Sequence, residues 1–156
     1  MCLRNIMPKK ERKKILDKID RKGLTVYKVV ITKLDKKHYP MYINSPMYYS
    51  ESDILPYQGI MKAKIIKIGQ MFGPYYNSGF HFFKTKAAAL RLLKYMKHKK
   101  LEQNNKDANA VKYELLECIV KKSWISMIGT EIGFKNGNII VIKKEIVIVA
   151  KKAIFP

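Results

Sequence analysis

Residues 75 to 93 read YYNSGFHFFKTKAAALRLL, and the change of period inside that stretch decides the fold class. FHFF has the composition and alternation of a short strand. Thr85 then suits an N-cap, and KAAALRLLKYMKHKK, residues 86 to 100, holds helix formers throughout, with Ala89, Leu90, Leu93 and Met96 on a common face. A strand running straight into an amphipathic helix calls for a sheet with a helix packed on it.

Alternation in GFHFF puts His81 and Phe83 on one strand face and Phe80 and Phe82 on the other. The expectation is that Phe80 and Phe82 pack against the helix and that His81 faces a cleft bordered by Tyr75 and Tyr76. There His81 has two readings. A neutral imidazole can orient a ligand or move a proton. Alternatively it bonds a nearby backbone carbonyl and locks the loop; this is preferred, since buried polar groups ordinarily find a partner. Gly79 is expected to let the chain turn sharply into the strand.

Upstream, PKKERKKILDKIDRK, residues 8 to 22, starts with a proline suited to a first helical turn and is followed by Gly23, which predicts a basic surface helix. Its apolar stripe is narrow: Ile15, Leu16 and Ile19. LTVYKVVITK, residues 24 to 33, reads as a strand with Tyr27, Val29 and Ile31 on one face and Val26, Lys28 and Val30 on the other. DKKHYP is a turn into a second extended piece, MYINS, and Pro46 to Gly59 reads as an ordered loop or one short helix capped by Ser50. IMKAKIIKIG has strand composition, and GQMFGPYYNSG, dense in Gly, Pro and Asn, predicts a loop.

Downstream, LEQNNKDANA is a polar surface loop, VKYELLECIVK a strand, and Asn136-Gly137 a hairpin signal. The run Ile146 to Ala150 is apolar on both faces and belongs at the centre of a sheet. The order helix, strands, helix, strands gives α+β: a single domain at 24–156 with a mainly antiparallel sheet and one packed helix, preceded by the basic N-terminal helix at 1–23. A chain of 156 residues with 47% hydrophobic content is large enough for one core.

Lys and Arg number 32 against 12 Asp and Glu, a net charge of +20. Such a field draws polyanions, nucleic acid or an acidic protein surface above all. The candidate contacts are the cluster Lys9, Lys10, Arg12, Lys13 and Lys14, the run Lys97, His98, Lys99 and Lys100, and the pair Lys121 and Lys122. The bland reading of the first cluster is the solvated face of its helix. Tyr48, Tyr49, Tyr57, Tyr75 and Tyr76, interleaved with Lys62, Lys64 and Lys67, form a second candidate surface for stacking on unpaired bases, or else half-buried rim residues. Trp124, the only tryptophan, suits core or contact surface equally.

Signatures of catalysis do not occur: no Gly-rich phosphate loop, no Cys-x-x-Cys, no His-Glu-x-x-His, no nucleophile elbow. Cys2 and Cys118 make no disulfide framework, Cys118 reads as a buried reduced thiol, and with His38, His81 and His98 they lack metal-ligand spacing, so neither metal nor cofactor is expected. No window approaches the ~18 to 20 apolar residues of a membrane span. The expectation is a soluble protein, cytoplasmic or carried in a particle assembled there.

The segments VYKVV, SPMYYS, YQGIMKA, YYNSGFHFFKTKAAALRLL, VKYELLECIV, GTEIGF and IVIVAKKAIF together resemble small uncharacterised proteins of bacteriophages and large DNA viruses, over about residues 24 to 155. The resemblance implies a viral accessory protein, in host cytoplasm or virus particle, and carries no activity with it. The element order is also distantly similar to ADP-ribosyltransferase-like folds. That likeness would imply a nucleotide-binding enzyme in which His81 and Tyr76 orient the ligand and Glu145 is the carboxylate. Lys28 stands where that family wants Arg or His, and its Ser-Thr-Ser motif does not occur. The leading expectation is therefore a non-enzymatic binder of a polyanion, with the transferase and a minor virus-particle component as alternatives.

Overall fold

A computed structural model describes residues 3, 5–40, 55–63, 67–70, 73–77, 79–102, 112–135 and 138–156. Eleven strands and two helices follow one another among them: β1 Asn5–Ile6, α1 Lys9–Leu16, β2 Leu24–Thr32, β3 His38–Pro40, β4 Gly59–Lys62, β5 Lys67–Gln70, β6 Gly73–Asn77, β7 Phe80–Phe83, α2 Lys86–Glu102, β8 Lys112–Val120, β9 Ile125–Lys135, β10 Asn138–Ala150 and β11 Lys152–Phe155. A 3-10 turn, Lys122–Trp124, precedes β9. The class is α+β with a mainly antiparallel sheet, as the sequence implies.

The main sheet runs β1-β9-β10-β7-β2-β8-β11-β4, with β3 added on β2, while β5 and β6 pair separately. Only Lys151 separates β10 from β11, yet β7, β2 and β8 lie between them in the sheet. Laid flat, four strand spacings would set those two strands about 19 Å apart. One linking residue spans only about 7 Å. The sheet therefore rolls up, so that β11 continues β10 around the far side and closes a barrel through its pairing with β8 at Ile154 and Ile119.

Two apolar layers follow from this closure. Val26, Val30, Phe82, Leu116, Cys118, Val120, Ile148, Ala150, Ala153 and Phe155 fill the interior with Tyr57. Outside, α2 sets Ala88, Ala89 and Leu92 on Val29, Phe83, Val147 and Val149. The helix starts where Thr85 predicts, its hydroxyl accepting from the Ala88 amide at 3.3 Å. Of the predicted inward face, Ala89, Leu93 and Met96 pack on the sheet beside Ala88 and Leu92, whereas Leu90 is 45% exposed. The strand faces of β7 are exchanged: Phe83, not the Phe80 and Phe82 pair, meets α2, and Phe82 points into the barrel.

Strand β2 keeps its predicted faces, Val26, Lys28 and Val30 inward. Its hairpin with β3 comes earlier than predicted, at His38–Pro40; MYINS and the segment to residue 54 lie outside the described residues. IMKAKIIKIG divides into β4 and β5, and the predicted loop GQMFGPYYNSG holds strand β6, which pairs β5. The Asn136-Gly137 pair itself lies outside the described residues, but Lys135 and Asn138 on either side of it are paired. Ahead of α1, β1 adds to the edge of β9, and Leu3 and Met7 are buried.

Helix α1 ends at Leu16, six residues short of the predicted Lys22. The chain instead makes a turn in which the Asp20 carboxylate accepts from the Lys22 and Gly23 amides at 2.8 and 3.2 Å. Gly79 serves a close approach: a Cβ there would stand 2.5 Å from the Ala150 carbonyl oxygen.

Candidate functional site

The ends of β2, β8, β9, β10 and β11 nearest Leu24, Val120, Ile125, Ala150 and Lys152 surround one mouth of the barrel. Helix α1 sets Ile15 and Leu16 against the interior cluster at that mouth. The chain around it is basic: Lys18, Arg21, Lys22, Lys62, Lys122 and Lys151 are exposed, and Lys121 and Lys152 half-buried. Hydrogen bonds draw these segments together. The Lys121 ammonium donates to the Arg21 and Lys22 carbonyls at 2.9 and 3.0 Å, and Lys122 pairs with Asp17 at 3.3 Å. The Lys151 amide donates to the Trp124 carbonyl, and the Ala63 amide to the Lys151 carbonyl, both at 2.9 Å.

Lys62 and Lys152 are directly opposite each other on β4 and β11. Side chains so placed share a face, and like charges in that position repel. Lys152 is partly compensated by the face of Trp124, whose ring centre is 4.9 Å from its ammonium. The carboxylates of this region, Asp17 and Asp20, are engaged with Lys122 and with backbone amides. The mouth thus keeps a cationic excess.

The predicted cationic residues divide. Lys9, Lys10, Lys13 and Lys14 are exposed on α1. Arg12 is not one of them in role: it folds back on the barrel, with Nη1 3.2 Å from the Met127 sulfur and Nε buried. Lys121 and Lys122 join the mouth, but as the pins that hold it together. Lys97 and His98 are exposed on α2, over the outer face, and the side chains of Lys99 and Lys100 lie outside the described residues. The aromatic surface does not form as predicted at Tyr57, which is buried, stacked on Phe155 at 4.4 Å and edge-on to Phe80 at 5.9 Å. Tyr48, Tyr49 and Lys64, with the side chains of Lys67, Tyr75 and Tyr76, lie outside the described residues.

His81 and Glu145 do not meet. The register pairs His81 with Val149, four residues from Glu145, which amounts to about 14 Å along the strand. His81 is 7% exposed, and its Nδ1–H donates to the Gly79 carbonyl at 3.0 Å. Burial, then the nearby Lys28 ammonium, pushes the imidazole down to about 3. It is a neutral ring that fastens the start of β7, in the place where the preferred reading puts it. Glu145, also buried, accepts from Arg91 of α2 at 2.5 and 3.0 Å and so anchors the helix. Tyr76 is known here by its backbone, which pairs with Ile68.

Lys28 is the unexpected residue. Strands β2 and β7 pair only at Tyr27 and Phe83, and beyond that point the Lys28 ammonium donates to the His81 carbonyl at 2.9 Å. It stands 5.6 and 5.4 Å from the ring centres of Tyr57 and Phe82, and burial lowers it to about 8. It closes a seam in the wall. Cys118 behaves as predicted: buried, with its thiol pushed up to about 12 chiefly by desolvation. The opposite mouth carries a mixed network, in which the Thr32 hydroxyl donates to Glu114 and accepts from His38 Nδ1 at 3.1 Å.

Among the described residues no group of His, Cys, Asp and Glu has the arrangement of a metal site, and no helix is long and apolar enough to cross a membrane. Lys62 is expected only beside the tyrosines, and Arg21, Lys22, Lys151 and Lys152 are not expected at a site at all, because the mouth joins segments far apart in the chain; the lysine pair after the apolar run Ile146 to Ala150 is the available signal. Comparison with family models, with curated proteins and with solved structures finds no match to this chain.

Proposed function

We propose that the protein is a non-enzymatic binder of nucleic acid, which it engages at the basic barrel mouth. The observation that supports this most is the directly opposed pair Lys62 and Lys152, set among Arg21, Lys22, Lys122 and Lys151. Opposed ammonium groups cost stability in the free protein, and a phosphate between them turns that cost into binding energy. Helix α1, whose Ile15 and Leu16 pack on the interior cluster, also carries exposed lysines. Such a role accords with the virus-type accessory protein that the resemblance implies.

Binding dominated by phosphate contacts releases counterions and is steeply salt-dependent. With about six contacts, affinity should fall roughly a thousandfold between about 50 and 200 mM salt. Fluorescence anisotropy of a labelled oligonucleotide, titrated across that range, measures the slope. Lys62→Gln and Lys152→Gln should each reduce it by about one unit. Affinity that does not change with salt would end the proposal.

A further inference from the structure

Beside the lysines lies an apolar row that the fold leaves open. Ile60 of β4, Ile154 of β11 and Ile119 of β8 are consecutive cross-strand partners, and Thr25 of β2 comes next. Directly opposed residues point the same way. Ala153 and Phe155 face the interior, so this row faces out. Ile60 is 63% and Ile119 39% exposed, and Ile154 between them is half-buried. Helix α2 lies over β9, β2, β8 and β7, on the other part of the outer face.

The row has a polarity. Two residues along each strand on one side stand Lys62 and Lys152, with Trp124 beneath Lys152. Two residues along β8 on the other side stands the exposed Glu117. Each step of two residues is about 7 Å. The surface is therefore an apolar strip bordered by cations on one flank and by an anion on the other.

We infer that the nucleic acid bound at this mouth is single-stranded, its phosphates along Lys62, Lys152 and the neighbouring basic residues and its bases laid on Ile60, Ile154, Ile119 and Trp124. This rests on the nucleic-acid reading above. A duplex keeps its base faces stacked inside and offers the protein phosphates and groove edges, so an apolar strip gains nothing from it. An unpaired strand presents both a charged edge and free base faces, which is the pairing of chemistries that this surface offers. Glu117 repels a backbone on the far flank and fixes which side the phosphates take. A second copy of the chain is disfavoured as the occupant, since it would bring a net charge of +20 against the same lysines.

Because the chain has one tryptophan, its emission reports directly on Trp124. Oligothymidylate should quench it and should bind at least about tenfold more tightly than a hairpin duplex with the same number of phosphates. Ile60→Asn, on an exposed edge strand, should weaken binding of a labelled single strand by about tenfold and leave retention on heparin unchanged, and Trp124→Ala should weaken the same single-strand binding by about tenfold. Equal affinity for single strand and duplex, or wild-type binding by Ile60→Asn, overturns this inference and leaves the nucleic-acid reading standing. Quenching by polyglutamate as strong as by oligothymidylate, or a dimer that Ile60→Asn dissolves, gives the strip to another occupant and overturns it too. Salt-sensitive binding to neither nucleic acid sinks both readings.

Discussion

On a single strand, Leu115 and Ile119 face outward four residues apart, and they meet opposite fates. Leu115 lies opposite Val29 and packs into the layer under α2, whereas Ile119 lies opposite Thr25 in the open. Both halves of this outer face are apolar. One is core because a helix is pinned to it by Arg91 and Glu145 and comes close through Ala88 and Ala89. The other is surface because nothing comparable covers it among the described residues. The difference teaches that outward apolar residues of a barrel become core or contact surface according to where the one long helix lies, and not according to their own chemistry.

The covered half should break first at its ion pair. Arg91→Ala leaves the buried Glu145 carboxylate without its guanidinium and should cost about 3–5 kcal/mol in urea unfolding. The double variant Arg91→Leu with Glu145→Leu should recover most of that, because apolar replacement of a buried pair is often nearly neutral. Leu92→Ala should cost about 2–5 kcal/mol, while Leu90→Ala, on the exposed side of the same helix, should cost less than about 1 kcal/mol. Equal losses at the two leucines would contradict the placement of α2.

Two bases of the barrel wall, the buried His81 and the half-buried Lys28, should give stability a characteristic pH dependence. His81 titrates near 6.5 in the unfolded chain and near 3 in the fold, so the unfolded state takes up its proton first. Stability should therefore fall with acid between those limits, at up to about 1.4 kcal/mol per pH unit, and His81→Asn should flatten the profile there. Lys28 falls from 10.5 to about 8, so stability should rise with pH between 8 and 10.5, a rise that Lys28→Met abolishes. The smallest effect belongs to the open half: Ile60→Thr should change stability by no more than about 0.5 kcal/mol.

Local signals read well where neighbours in sequence decide the outcome. Thr85 starts α2, β2 has its predicted faces, and the apolar run of β10 is buried on both sides, because capping and alternation are short-range. Strand β6 is hidden by its Gly, Pro and Asn content, which a strand paired only within a two-stranded ribbon tolerates. The inward face of α2 is legible at Ala89, Leu93 and Met96, and departs at Leu90, which is exposed, because the stripe is centred nearer Ala88 and Leu92 and alanine carries little hydrophobic signal to mark it. Closure of the barrel was illegible, since it depends on β11 crossing to β8, a pairing no local pattern encodes. For the same reason the basic mouth, assembled from residues 18–22, 62, 121–122 and 151–152, could not be seen as one surface.

The late position of β11 bears on how the chain is made. Strands β2 and β8 can zip together once Val120 has emerged from the ribosome, but Ala153 and Phe155, which complete the interior, follow it more than 30 residues later. At about 5–20 residues per second, that is a few seconds in which Val26, Leu116 and Cys118 line an open trough. A chain cut after Ala150 would keep that trough open, with the apolar lining of Val26, Leu116 and Cys118 left to chaperones or to aggregation.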